Sequence, residues 1–122
     1  MFKIKDIQIY NIGLPLQQTI HMSNITIERS NSILIKVISF DGDFGWGEAA
    51  ASLSMTGESS VGMIQAINYM KEILIGVEIQ SYESISNLVQ TSIYGNAAAK
   101  SSLEVALIDL FAKIQKKSFS EI

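Results

Sequence analysis

The sequence predicts an α+β domain, a three-stranded antiparallel sheet followed by three helices, on three observations. Apolar residues alternate with polar ones in residues 2–14 and 33–40, the pattern of strands with a buried face. Asp41-Gly42-Asp43 separates the second run from a short third one, residues 44–49, as a glycine-bearing turn does in a hairpin. From Glu58 onward the apolar residues recur every three or four positions, the period of a helix face.

Taken in order, the first strand carries Phe2, Ile4, Tyr10, Ile12 and Leu14 on one parity and Ile7 and Ile9 on the other, so both of its faces are partly covered. Pro15, the only proline, is expected to end strand pairing, because proline has no N–H to give to a ladder. Residues 17–31 show no period and are expected to form a loop. In the second strand Ile33, Ile35 and Val37 share one face. Asp41-Gly42 is expected to supply the positive φ angles of the turn.

The first helix places Met63, Ile64, Ile67, Met70, Ile73 and Leu74 on one face, with Thr56 as N-cap, Glu58 in the first turn and Gly76 at the end. Ser81 caps a second helix running to about residue 94, with Ile85, Leu88 and Val89 inward. Gly95-Asn96 opens a third, residues 97 to about 116, which carries one apolar stripe of Leu103, Ala106, Leu107, Leu110, Phe111 and Ile114. Val105, Ile108 and Ala112 form a second patch around its axis. A helix apolar on two sides needs cover on two sides, and the expectation is that this one keeps an exposed apolar face.

Length and composition narrow the function classes. The 122 residues, without repeat or linker, make one domain, 1–122, large enough for a single core. With no cysteine, thiol nucleophiles, redox pairs and Cys-based zinc sites are excluded, and a cytoplasmic location is expected. Nine basic residues against twelve acidic ones give a net charge of −3 without a basic cluster, which argues against nucleic-acid binding. The N-terminus lacks the apolar core of a signal peptide. No stretch approaches the roughly 18 apolar residues that span a bilayer.

Five segments in order resemble the N-terminal capping domain of the enolase superfamily, the mandelate racemase/muconate lactonizing enzyme type, with a pattern nearest the dipeptide epimerases. They are Ile7-x-Ile9-Tyr10 with Leu14-Pro15-Leu16; Ile33-Leu34-Ile35-Lys36-Val37 with Asp41-Gly42; and Gly45-Trp46-Gly47-Glu48-Ala49. Thr56-Gly57-Glu58-Ser59 is next, and last comes Gly95-Asn96 with Ala99-Lys100 and Glu104-x-Ala106-Leu107-x-Asp109. The resemblance implies a cap joined to a (β/α) barrel, which is absent from this chain. In a complete enzyme the barrel supplies carboxylates that bind Mg²⁺ and bases that remove a proton α to a carboxylate. On this reading the chain holds no catalytic residue, no metal site and no cofactor; Mg is expected only in a complete enzyme. The cap contributes two loops that close over the site, matching residues 19–28 and 50–56. Ile20, Met22 and Ile25 in the first and Leu53, Ser54 and Met55 in the second are the expected substrate contacts; anchoring of the loops themselves is the competing reading. Some dipeptide epimerases carry an arginine in the first loop to grip an acidic side chain. Ile25 stands at that position, with Arg29 beyond it, which argues against an acidic second residue.

Other residues have plainer readings. Lys3-Ile4-Lys5 spells the Lys-x-Lys used for catalysis by such relatives, but at the start of a strand it is expected to face solvent. His21, the only histidine, supplies neither a triad nor a multi-histidine site. Asp41 and Asp43 belong to a turn; Glu48 is expected to be structural and Trp46 to pack where cap meets barrel. The partners expected are the barrel domain or its substitute and a second copy through helix 97–116, with no nucleic acid and no membrane. The functional expectation is the specificity lid of a Mg-dependent racemase, epimerase or cycloisomerase, inactive alone. The alternative is a stand-alone, non-catalytic α+β module working by self-association or partner binding.

Overall fold

A computed structural model describes the backbone of residues 1–22 and 25–116, and the side chains of residues 1–12 and 32–116. The chain runs β1 (Phe2–Met22), β2 (Ile25–Ser39), β3 (Phe44–Ala50), α1 (Ser60–Leu74), β4 (Glu78–Ile79), α2 (Tyr82–Ser92) and α3 (Ala97–Ile114). The strands form one antiparallel sheet in the order β3-β2-β1-β4. The three expected strands are all present. The fourth adds only the pairs Phe2–Ile79 and Lys3–Glu78, too short to show an alternation in sequence.

The expected loop at residues 17–31 is instead strand, outside residues 23 and 24. Pairing continues through Pro15–Arg29, breaks register between Pro15 and Ile20, and resumes from Ile20–Ile27 to Met22–Ile25. Proline thus shifts the ladder without ending it, as it does at bulges and edges. At the β2–β3 turn Gly42 alone has positive φ, +92°. The turn closes through Gly42 N–H to the Ser39 carbonyl and Ser39 N–H to the Asp43 carbonyl.

Alternation sorts the sheet into two faces. Ile7, Ile33, Ile35, Val37 and Ala49 are buried against the helices. Cross-strand pairing puts Gln8, Lys36 and Trp46 in one row of the opposite face, and Tyr10, Leu34 and Glu48 in the next. There Trp46 lies 5.9 Å from the Tyr10 ring and 6.3 Å from Phe44, centroid to centroid. Lys36 Nζ sits 4.3 Å over the Phe44 ring, a cation–π contact.

Ser59, not Thr56, caps α1, accepting from Gly62 N–H at 3.0 Å. The buried face of α1 is Met63, Ala66, Ile67, Met70 and Leu74, while Ile73 points outward. Ser81 caps α2 as expected.

α3 departs furthest from the sequence expectation. Of its second apolar patch only Val105 is exposed, at 37%; Ile108, at 8%, and Ala112 are buried within this one chain, as is Phe111. The cause lies in β3. A Cβ on Gly45 would collide with the Ala106 carbonyl and Leu110 N, and one on Gly47 with the Ser102 carbonyl. Two side-chain-free positions let the helix backbone rest on the strand backbone. α3 also packs against β2, α1 and α2, so both of its apolar sides are covered, and the expected bare face on helix 97–116 does not exist.

Candidate functional site

The strand register sorts the chain between the two ends of the sheet. β3 runs toward the loop of residues 51–58, and Ser32–Ala50 is its last pair with β2. Beyond that pair β1 and β2 continue alone as a ribbon to Met22–Ile25, about 23 Å of further strand at 3.3 Å per residue. α3 starts at this end, beside Glu58. It finishes at the other, where Lys113 Nζ donates to the Phe44 carbonyl at 3.1 Å.

The loop of residues 51–58 is tied to itself. Ser52 N–H donates to the Glu58 carbonyl, and Thr56 and Gly57 N–H both donate to the Ser52 carbonyl, all within 3.0 Å. Thr56 Oγ1 donates to the same Ser52 carbonyl, and Met55 N–H donates to Ser52 Oγ. Gly57 takes φ +76° to close the turn, a conformation open to glycine at little cost.

Glu58 then reaches across the fold. Its carboxylate accepts from Ala98 N–H at 2.9 Å and Ala99 N–H at 3.2 Å. These are first-turn groups of α3, which lack intrahelical partners, and a negative charge there is favoured by the helix dipole. Asn96, the residue at the N-cap position, has φ +57° and makes no side-chain cap bond. A carboxylate some 40 residues away in sequence therefore does the capping. Lys100 does the converse for α2. Buried between the two helices, its Nζ donates to the Gln90 carbonyl at 3.1 Å in the last turn of α2, whose unpaired carbonyls favour a cation.

Of the expected contact residues, Leu53, Ser54 and Met55 stand exposed on this loop, Leu53 at 72% and Met55 at 67%. Ile20, Met22 and Ile25 lie in the paired ribbon by backbone; their side chains, and that of His21, fall outside the described residues. The two groups share one end of the sheet.

Lys3 and Lys5 are exposed near the opposite end. Asp6, next along, pairs with Lys71 at 2.9 Å. The hydrogen bond from the Lys71 ammonium holds the Asp6 carboxyl below its ordinary value of 3.8, opposed by partial burial and helped by Ile7 N–H. Asp41 and Asp43 are exposed on the turn, and Glu48 is exposed opposite Leu34. Among the described residues no three His, Cys, Asp or Glu side chains gather as a metal would require. No helix among them is long and apolar enough to cross a membrane.

Sequence reasoning missed Glu58 as the cap of α3, because its neighbours Thr56 and Ser59 suggest a helix start and Asn96 is a good cap residue by type. It also missed Gly45 and Gly47 as the seat of α3. Their alternation toward the buried face, facing small residues Ser102 and Ala106 on the helix, is the signal that would have shown it.

Comparison with known proteins follows the same outline. Residues 4–122 match the family model described as mandelate racemase / muconate lactonizing enzyme, N-terminal domain. The L-Ala-D/L-Glu epimerase of Clostridium acetobutylicum is 32% identical over 111 residues, 90% of this chain but 31% of that protein. The substrate-liganded structure of the L-Ala-D/L-Glu epimerase from Bacillus subtilis superposes with a TM-score of 0.85 at 32% identity, over 93% of this chain and 32% of that one. A dipeptide epimerase from Cytophaga hutchinsonii, complexed with Mg and D-Ala-L-Val, gives a TM-score of 0.87 at 27% identity, over 94% and 31%. The chain thus spans about a third of the length of these relatives. It belongs to the N-terminal domain family of the mandelate racemases and muconate lactonizing enzymes.

Proposed function

We propose that this chain is the lid and specificity domain of a Mg-dependent racemase, epimerase or cycloisomerase, dipeptide epimerase-like. The complete enzyme abstracts a proton α to a carboxylate in a barrel joined to this domain. The observation that carries the reading is the loop of residues 51–58. It holds Leu53 and Met55 in the open, at the same end of the sheet as the ribbon bearing Ile20, Met22 and Ile25. Two large apolar side chains exposed on a loop fastened by its own hydrogen bonds fit contact with a substrate held on a second domain. Together with Ile25 they favour an uncharged second residue in the substrate. Mg belongs with the barrel; this chain supplies shape and exclusion of water. A cytoplasmic setting fits a chain without cysteine.

The test is a fusion of this chain to the barrel region of the Bacillus subtilis epimerase, assayed by proton NMR for α-proton exchange of dipeptides in D₂O with Mg²⁺. The fusion is expected to exchange, with dipeptides of uncharged second residue preferred over L-Ala-L-Glu, and the 122-residue chain alone is expected to be inert. Exchange by the isolated chain, or a folded fusion without activity, sinks the reading.

A second reading, a stand-alone module that self-associates or binds a partner, draws on the exposed Tyr10, Phe44 and Trp46 of the outer sheet face. Exposed aromatics of this kind are enriched at interfaces. Sedimentation of the isolated chain separates the two, since a monomer at high concentration removes self-association.

A further inference from the structure

We infer that Glu58 is a positioning residue: it clamps the loop of residues 51–58 onto α3, so that Leu53 and Met55 form a fixed apolar wall and not a moving lid. The inference rests on the reading that this loop faces substrate, and it assigns the loop's mechanical role, which the resemblance to a closing lid does not.

Three observations converge on it. The loop is closed at its base by the Ser52–Glu58 bridge and pinned inside by the Ser52 carbonyl, which accepts from Thr56 and Gly57. Swinging the loop outward would break the two bonds from Ala98 and Ala99 to the Glu58 carboxylate, both charge-assisted. It would also leave α3 without a side-chain cap, because Asn96 provides none. Nor is α3 free to follow the loop. Its backbone rests on Gly45 and Gly47, and Asp109 is bonded to Trp46 N–H.

Loop, α3 and β3 therefore form one body. Leu53 and Met55 meet a substrate group by preformed shape, with the ordering already done before binding. A side chain that does not fit is rejected, since the wall does not move to accommodate it.

The experiment is residue-resolved amide exchange by NMR on the full 122-residue chain, comparing wild type, Glu58→Gln, Glu58→Ala and Ser81→Ala. Ser81→Ala removes the bond from Ser84 N–H that caps α2, a control that loosens a helix terminus elsewhere. In the wild type the amides of Ser52, Thr56, Gly57, Ala98 and Ala99 are expected to be protected. Glu58→Ala is expected to raise their exchange by about tenfold or more, beyond any change in α1, and Glu58→Gln, which keeps one acceptor oxygen, by less. Ser81→Ala is expected to leave the loop unchanged. The clamp is overturned if the loop amides exchange freely in wild type, or rise as much in Ser81→Ala as in Glu58→Ala. Should Glu58→Ala fail to fold, Glu58→Gln decides the question by the same readout. In the fused enzyme, indifference to replacement of Leu53 and Met55 would overturn the wall, while the exchange data would still decide the clamp.

Discussion

The backbone N–H of Trp46 donates to Asp109 Oδ2 at 2.9 Å, across 63 residues of sequence. β3 is an edge strand of the sheet, and edge strands present unpaired backbone groups that invite another chain. Here α3 supplies the partners. Asp109 takes the Trp46 donor, Lys113 covers the Phe44 carbonyl, and the two side chains pair with each other at 3.1 Å.

Asp109→Ala is accordingly expected to lower stability by about 1–3 kcal/mol, the range for losing a charged hydrogen-bond partner. Asp109→Asn, which still offers an oxygen, loses less. Urea denaturation midpoints measure both. Light scattering is expected to show more self-association for the alanine variant, whose strand edge is bared.

Gly47→Ala tests the seat of α3. The added methyl meets the Ser102 carbonyl and the start of the Ala106 peptide, backbone atoms that yield only if the helix shifts. The expected cost is about 3 kcal/mol or more, at the upper end for overpacking. Gly42→Ala is the comparison: nothing lies near its Cβ, so only the positive φ is penalised, about 1–2 kcal/mol. Equal thermal midpoints for the two variants would contradict the account of why α3 is buried.

Asp6 gives a pH dependence. Its folded pKa lies below 3.8 because of Lys71, so the ionised form is the one the fold favours. The stabilisation is complete at pH values above the unfolded pKa and is lost as pH falls through the folded value. Both side chains are more than a third exposed, at 35% and 37%, so the size is about 0.2–1 kcal/mol. Asp6→Asn is expected to show this deficit at pH 6 and to converge with the wild type as pH falls through the folded pKa of Asp6, in denaturation curves at fixed ionic strength.

Lys100 is buried on the Gln90 carbonyl. Lys100→Ala is expected to cost about 2–4 kcal/mol, from the lost packing of its stem and the lost donor. Lys100→Met, which keeps the stem, is expected to cost less. Thermal melts order the two.

Much of the fold was legible because burial enforces periodicity. Ile33, Ile35 and Val37 alternate, and Met63, Ile67, Met70 and Leu74 repeat at helical spacing; all are buried. What escaped was set by long-range contact. Residues 17–22 and 25–31 have no period of their own, and their pairing lies in the two-stranded ribbon beyond the last β2–β3 pair, Ser32–Ala50. The burial of Ile108 and Ala112 depends on two glycines some 60 residues earlier, which no local pattern on α3 announces. The loop was legible over residues 50–56, but Thr56 and Glu58 read as the start of α1, which begins only after Ser59; the destination of Glu58 escaped because its partners are backbone amides of a distant helix and carry no residue identity.

The bonds that fasten the loop use backbone groups and the side chains of Ser52, Thr56 and Glu58. The side chains of Leu53, Ser54 and Met55 take no part in them. Variation at these three tips is thereby uncoupled from folding: new shapes can be tried there without loosening the frame, an arrangement open to diversification by single substitutions.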